Sequence, residues 1–216
     1  MRKRISGLTI GLLLVACFHG PVYAQTLSEI FVSRSGNVLG AIFYFDPGFP
    51  SYAFVKGGGQ LVWVDMEIPN AVIEIYTTGY VQLVEQEPPA SITYADGRIS
   101  KIGDLGFEYE SGRIRKIGNL SFAYHFWRIS KVGDVRIVIE DGFIRDLGDV
   151  HFEYENGRVR KIDSLIFTYE NGRIQRIGQV IFDYDYGTLK KVTGEIPGVS
   201  LTISSVIEFR KFLKRR

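Results

Sequence analysis

FEYESGRIRKIGNLS (Phe107–Ser121), FEYENGRVRKIDSLI (Phe152–Ile166) and FTYENGRIQRIGQVI (Phe167–Ile181) are three versions of one fifteen-residue unit, and that period decides the fold. Units begin at Ile92, Phe107, Phe122, Ile137, Phe152, Phe167 and Phe182 and run to residue 194 without insertion or deletion. A fixed short period marks one supersecondary unit, copied and stacked. Asp96-Gly97, Asn156-Gly157 and Asn171-Gly172 sit between alternating apolar residues. That is the signature of a tight hairpin turn with positive φ at both central positions. A second turn follows at Gly118-Asn119, Gly133-Asp134 and Gly148-Asp149, so each unit holds two short strands.

Counting pairs across these turns adds a detail. With Ser111-Gly112 as one loop and Gly118-Asn119 as the next, pairing carries a position to its equivalent fourteen residues on, yet the period is fifteen. One residue per unit is surplus. Ile114 and Ile117 lie three apart, which places them on opposite faces of a regular strand. A β-bulge near Arg115-Lys116 in every copy resolves both facts, and bulges bend and twist a strand. The expectation is an all-β chain: an antiparallel meander of seven 15-residue hairpin repeats in a strongly twisted or coiled sheet, preceded by a small β-rich segment. Phe107, Tyr109, Phe152, Tyr154, Phe167 and Tyr169 should line one face. Whether the sheet stays an open coil or closes into a barrel is left open by the period.

The pattern F-x-Y-[ED]-N-G-R-[IV] resembles the YD repeats of bacterial Rhs-type shell proteins. The matching positions are Tyr154, Glu155, Gly157, Arg158 and Val159, and likewise Tyr169, Glu170, Gly172, Arg173 and Ile174. The resemblance covers residues 92–194 and implies sheet-forming hairpins. The units here have one residue fewer before the glycine, a shorter period, and mostly Glu where that family has Asp.

Outside the repeats, residues 25–84 read as strands at Leu27–Ser33, Val38–Phe45, Leu61–Met66, Val72–Thr77 and Tyr80–Val84, separated by Gly, Pro and Asn turns. Residues 85–90 (EQEPPA) form a linker, since paired prolines cannot donate to a ladder. Residues 195–216 hold one more strand or a short helix at Val199–Phe209 and a basic tail of Arg210, Lys211, Lys214, Arg215 and Arg216. At the other end, residues 1–24 read as a signal peptide. Arg2, Lys3 and Arg4 precede an apolar core, and Val22-Tyr23-Ala24 supplies a cleavage site. The competing reading is a lipoprotein box ending at Cys17. Either way the expected location is exported, periplasmic or cell-surface, with no transmembrane segment after signal removal.

Lys plus Arg number 26 against 24 Asp plus Glu, and three of the basic residues belong to the signal. The remainder is close to neutral, which gives no argument for nucleic acid. Cys17 is the only cysteine, so a chain cut at Ala24 has neither a disulfide nor a thiolate ligand. No catalytic, metal or cofactor motif is present, and none of those groups is expected. Carboxylates are plentiful, so a two-carboxylate glycan-acting enzyme of the envelope remains the alternative to a non-enzymatic scaffold or binding protein. Glu110/Arg113, Glu155/Arg158 and Glu170/Arg173 are expected to pair across their turns, and the tyrosine column either fills a sheet face or stacks on glycan rings.

The exceptions to the repeat carry the candidate site. Unit three has Phe126-Trp127 where the Asn-Gly turn belongs, so the turn must change or be strained. Unit four has Ile137 and Ile139 for Phe and Tyr, and Phe143 for Arg. His125, Phe126, Trp127 and Phe143 therefore form a candidate apolar edge patch. It either packs on another part of the same chain or binds a partner, an envelope protein or a glycan.

Overall fold

The computed structural model describes residues 25–86 and 91–205. The segment 1–24 expected to be a signal peptide, with Cys17, most of the linker, the end of the Val199–Phe209 segment and the basic tail lie outside the described residues. Every regular element within them is a strand, in two sheets.

The first sheet is a meander of β1 (Thr26–Ser33), β2 (Val38–Phe45), β3 (Ser51–Lys56), β4 (Leu61–Ile68), β5 (Ala71–Tyr76) and β6 (Val81–Gln86). A last strand, Ser200–Ser204, runs parallel beside β1, with Glu29 opposite Ser200 and Val32 opposite Ile203. The Thr202 hydroxyl donates to the Glu29 carboxylate at 2.5 Å. Alternation sends Phe43, Phe45, Ala53, Met66, Ile73 and Ile75 to one face, where all are buried. On the opposite face Phe31, Ile42, Phe54 and Trp63 make a smaller cluster, with the Phe54 and Trp63 rings stacked 4.6 Å apart. β3 is absent from the sequence-based expectation. Its six residues are squeezed between Pro50 and the Gly57–Gly59 run, so turn chemistry masks the Tyr52/Phe54 alternation.

The second sheet has fourteen strands in strict sequence order, and its first and last strands do not pair with each other among the described residues, so it is an open sheet rather than a closed barrel. It consists of seven hairpins. In the second hairpin (Leu105–Glu110 with Arg113–Ile117), Ile114 faces Tyr109 and Lys116 faces Glu108, leaving Arg115 with no residue opposite. The same skip recurs in each of the other six, at Ser100, Ser130, Arg145, Arg160, Gln175 and Lys190. The surplus residue is therefore the expected bulge, and it brings Ile114 and Ile117 to one face, both fully buried. Neighbouring hairpins are tied only at their closed ends, as by Lys116 opposite Ser121 and Ile117 opposite Leu120. Toward the tips they splay.

The bulge also builds the seam between the sheets. In the second to seventh hairpins it turns one backbone N–H out of its ladder, and a buried donor needs another acceptor. Ile114 and Ile129 donate to the carbonyls of Gly79 (3.0 Å) and Thr77 (2.8 Å). Ile144 and Val159 donate to Gly59 (2.8 Å) and Gly57 (3.4 Å), and Ile174 and Leu189 to Gly36 and Arg34 (both 2.8 Å). Three tips of the first sheet thus receive two hairpins each. Behind the seam the sheets share one core, in which Phe152 meets Phe43 edge to face at 5.0 Å. The approach is close enough to require glycine: at Gly79, with φ of 85°, a Cβ would sit 2.5 Å from the Tyr124 hydroxyl.

Candidate functional site

At three of the bulges a carbonyl as well as an N–H faces out of its own ladder, and a tyrosine of the next hairpin supplies the partner. The Tyr124 hydroxyl donates to the Ile114 carbonyl at 2.6 Å, Tyr169 to Val159 at 2.9 Å and Tyr184 to Ile174 at 2.8 Å. Arginines at the hairpin tips lie over the same rings: Arg98 over Tyr109 at 5.8 Å, Arg113 over Tyr124 and Arg158 over Tyr169, both at 5.6 Å. Each of these tyrosines thus wedges the V-shaped gap between two splayed hairpins; Tyr124 and Tyr169 are held by both a hydrogen bond and a cation–π contact, Tyr109 by the cation–π contact and Tyr184 by the hydrogen bond. Burial pushes the phenols up from their ordinary value, to about 12 for Tyr109, despite the nearby Arg98 pulling it down.

This use of arginine corrects one expectation. Glu110 and Arg113 are cross-strand neighbours, but the ion pairs form two residues further on, between Glu110 and Arg115 at 3.8 Å and between Glu155 and Arg160 at 3.8 Å. The bulge residue swings to the carboxylate while the tip arginine turns to the tyrosine ring. These pairs are exposed and worth little.

At the junction of the third hairpin (Leu120–His125 with Arg128–Val132) and the fourth (Val135–Glu140 with Phe143–Leu147) the wedge is missing. Ile139 stands at the tyrosine position, is too short to reach across, and carries no hydroxyl for the Ile129 carbonyl. A cleft of about 760 Å³ opens there, between Arg128, Ile129, Ser130 and Lys131 on one side and Arg136, Ile137, Val138 and Ile139 on the other. His125, Phe126 and Trp127 form its rim.

The tip itself has changed to suit. In the regular tips both central residues take positive φ, as at Asn171 (48°) and Gly172 (80°); here Phe126 does so at 53° and Trp127 does not. Phe126 and Trp127 are 81% and 71% exposed, so the patch does not pack against the described parts of its own chain. The indole lies against the Arg113 guanidinium at 4.8 Å, and the His125 ring meets Phe126 edge to face at 4.4 Å.

The structure brings His125, Phe126 and Trp127 together and separates Phe143 from them. Phe143 points to the seam instead, 5.2 Å from the Tyr154 ring and against the Gly59 tip. Arg128, Lys131, Arg136 and Ile139 were not singled out as site residues from sequence, although Ile for Tyr at 139 was the available signal. His151, the other described histidine, is bonded to Asp146 at 2.8 Å and lies away from the cleft. Among the described residues no group of three or more His, Cys, Asp or Glu is placed to hold a metal ion, and no helix is long and apolar enough to cross a membrane. No family model matches the chain, and no curated protein or solved structure matches it either.

Proposed function

We propose that the chain is an exported, non-enzymatic binding protein of the cell envelope, in which the stacked sheets are a rigid scaffold and the cleft between the third and fourth hairpins is the contact site. One observation carries this reading: a molecule that wedges its hairpin gaps with tyrosine leaves one gap open and rims it with solvent-exposed Phe126 and Trp127. Exposed aromatics beside a pre-formed cleft are the composition of a binding site. The resemblance to YD-type hairpin repeats fits this reading as a building unit. Recovery of partners from envelope extract by the purified protein, compared with Trp127→Ala, is the test. Loss of specific partners with the variant is expected, and equal recovery overturns the assignment.

A second reading, a glycan-acting envelope enzyme, draws on the face of the first sheet turned away from the repeats. Asp65 and Glu74 are direct cross-strand neighbours there, 7% and 1% exposed. Burial raises the Glu74 pKa, and its hydrogen bond holds the Tyr76 phenol up at about 12. Directly opposed residues have Cβ atoms about 5 Å apart, so the two carboxyl groups are neighbours on one face, the pairing that a two-carboxylate mechanism uses. Release of sugars from envelope glycan, abolished by Glu74→Gln, would establish this reading; no release by the wild-type protein removes it.

A further inference from the structure

The cleft has a shape that the molecule itself defines, because the same gap is filled in other junctions. At the fifth-to-sixth junction the filler is a phenol ring, with its hydroxyl on a bulge carbonyl at 2.9 Å and a guanidinium 5.6 Å above its face. Every other part of that arrangement persists at the third-to-fourth junction. The bulge skips Ser130 as it skips Arg160 in the fifth hairpin. The Ile129 N–H still crosses the seam to Thr77 at 2.8 Å, so the backbone holding the carbonyl is fixed from behind. Arg128 stands where Arg158 stands, and both line or face the gap. Only the ring is absent.

We infer that the cleft binds a tyrosine side chain from a partner polypeptide, seated with its hydroxyl on the Ile129 carbonyl and its ring beneath Arg128 and beside Trp127. The inference rests on the binding reading above and names its ligand. A phenylalanine would fill the same volume but leave the carbonyl without a donor. A glycan ring has an apolar C–H face but no π-system to meet the guanidinium as the tyrosine ring does elsewhere in the molecule. Charge sets the flanking sequence. Arg128, Lys131 and Arg136 line the cleft with Asp141 as the acidic residue at its edge, and Lys131 is shared with Asp134 at 3.3 Å. The balance is basic, so acidic residues beside the tyrosine are favoured.

The repeat also supplies the control. Ile139→Tyr restores the ladder residue, and its ring should occupy the gap as Tyr169 does, closing the site from within. The experiment titrates the purified protein with blocked tripeptides Glu-Tyr-Glu and Glu-Phe-Glu, reading the Trp127 indole N–H resonance by NMR. Trp63 is buried and serves as the internal reference. Expected is a Trp127 shift with the tyrosine peptide, binding about fivefold tighter than the phenylalanine peptide, the size of one net hydrogen bond. Ile139→Tyr should abolish the shift without lowering the midpoint of urea unfolding. Equal affinity for the two peptides, no binding of either, or unchanged binding by Ile139→Tyr overturns the inference. The peptide comparison needs no variant, so it decides the matter even if Ile139→Tyr folds poorly. If Trp127→Ala loses envelope partners while the peptides bind equally, the ligand class is wrong and the binding reading survives. If Trp127→Ala keeps every partner, the binding reading itself has failed.

Discussion

The fifth-to-sixth and third-to-fourth junctions share a backbone and differ in what stands between the hairpins. In both, a bulge ejects an N–H that crosses to a tip of the first sheet, from Val159 to Gly57 and from Ile129 to Thr77. In both, the hairpins are tied by two residue pairs at the closed end. One gap holds Tyr169 and the other holds nothing but the end of Ile139. The difference shows that the bulge and the seam set the backbone, while the tyrosine fills a gap already made. A residue with that role can be withdrawn at one junction without loss of the fold. A repeat that is structural nearly everywhere thereby leaves room for the proposed site.

If the seam dominates, truncating a seam residue should cost far more than truncating the patch. Phe152 is 1% exposed and packs against Phe43 at 5.0 Å, whereas Phe126 is 81% exposed. Phe152→Ala should lower unfolding free energy by about 3–5 kcal/mol through lost burial and the cavity left behind. Phe126→Ala should change it by less than about 0.5 kcal/mol. Urea denaturation of both variants measures this. Similar costs would mean that the patch is part of the core and the contrast between the junctions is false.

The tyrosine wedges add a dependence on pH. Burial raises the phenols of Tyr109, Tyr124, Tyr154, Tyr169 and Tyr184, in Tyr109 from 10.0 to about 12. A group whose folded pKa lies above its unfolded value gives stability that is complete below the unfolded value, near 10 here, and is lost as pH climbs toward the folded one. Alkaline titration should therefore show phenolate absorbance and loss of β-sheet circular dichroism rising together above about pH 10. Smooth ionisation of these phenols near their ordinary value with the sheet intact would show that the gaps are open to water at every junction, not only at Ile139.

Much of this was legible in the sequence because it is local. The fifteen-residue period, the Asn-Gly and Asp-Gly tips and the three-residue spacing of Ile114 and Ile117 give the hairpins and the bulge before any packing is known. What the bulge does with its freed N–H was not legible. The acceptors at Gly36, Gly59 and Gly79 lie in another sheet, and nothing in either segment encodes the stacking. The parallel strand Ser200–Ser204 beside β1 is hidden for the same reason, since its partner lies more than 160 residues away in the chain. Phe143 shows how a substitution misleads when its neighbour is unknown. Replacing a tip arginine by phenylalanine suggests an exposed patch, until Gly59 and Tyr154 prove to lie against it. The cleft was half legible: the aromatic tip stood out, but the shortened side chain at 139 mattered more.

The smallest effect gives the sharpest test, because it compares two tyrosines that differ in one hydrogen bond. Tyr169 donates to the Val159 carbonyl at 2.9 Å, and its wedge is complete. Tyr154 occupies the equivalent position one hairpin earlier, but its hydroxyl is buried with no hydrogen-bond partner among the described residues. The cause lies next to it: Phe143 replaces the tip arginine, and its ring, 5.2 Å away, packs Tyr154 against the Gly59 tip instead. Removing a made hydrogen bond costs about 1 kcal/mol, whereas removing a buried hydroxyl without a partner relieves a desolvation penalty. Tyr169→Phe should thus lower stability by about 1 kcal/mol, and Tyr154→Phe should leave it unchanged or raise it slightly. Thermal or urea unfolding of the pair reads the difference directly. Equal losses would mean that the hydroxyl of Tyr154 is satisfied in solution; a loss confined to Tyr169→Phe would show that both junctions of the fourth hairpin have given up the bond that Tyr124, Tyr169 and Tyr184 keep.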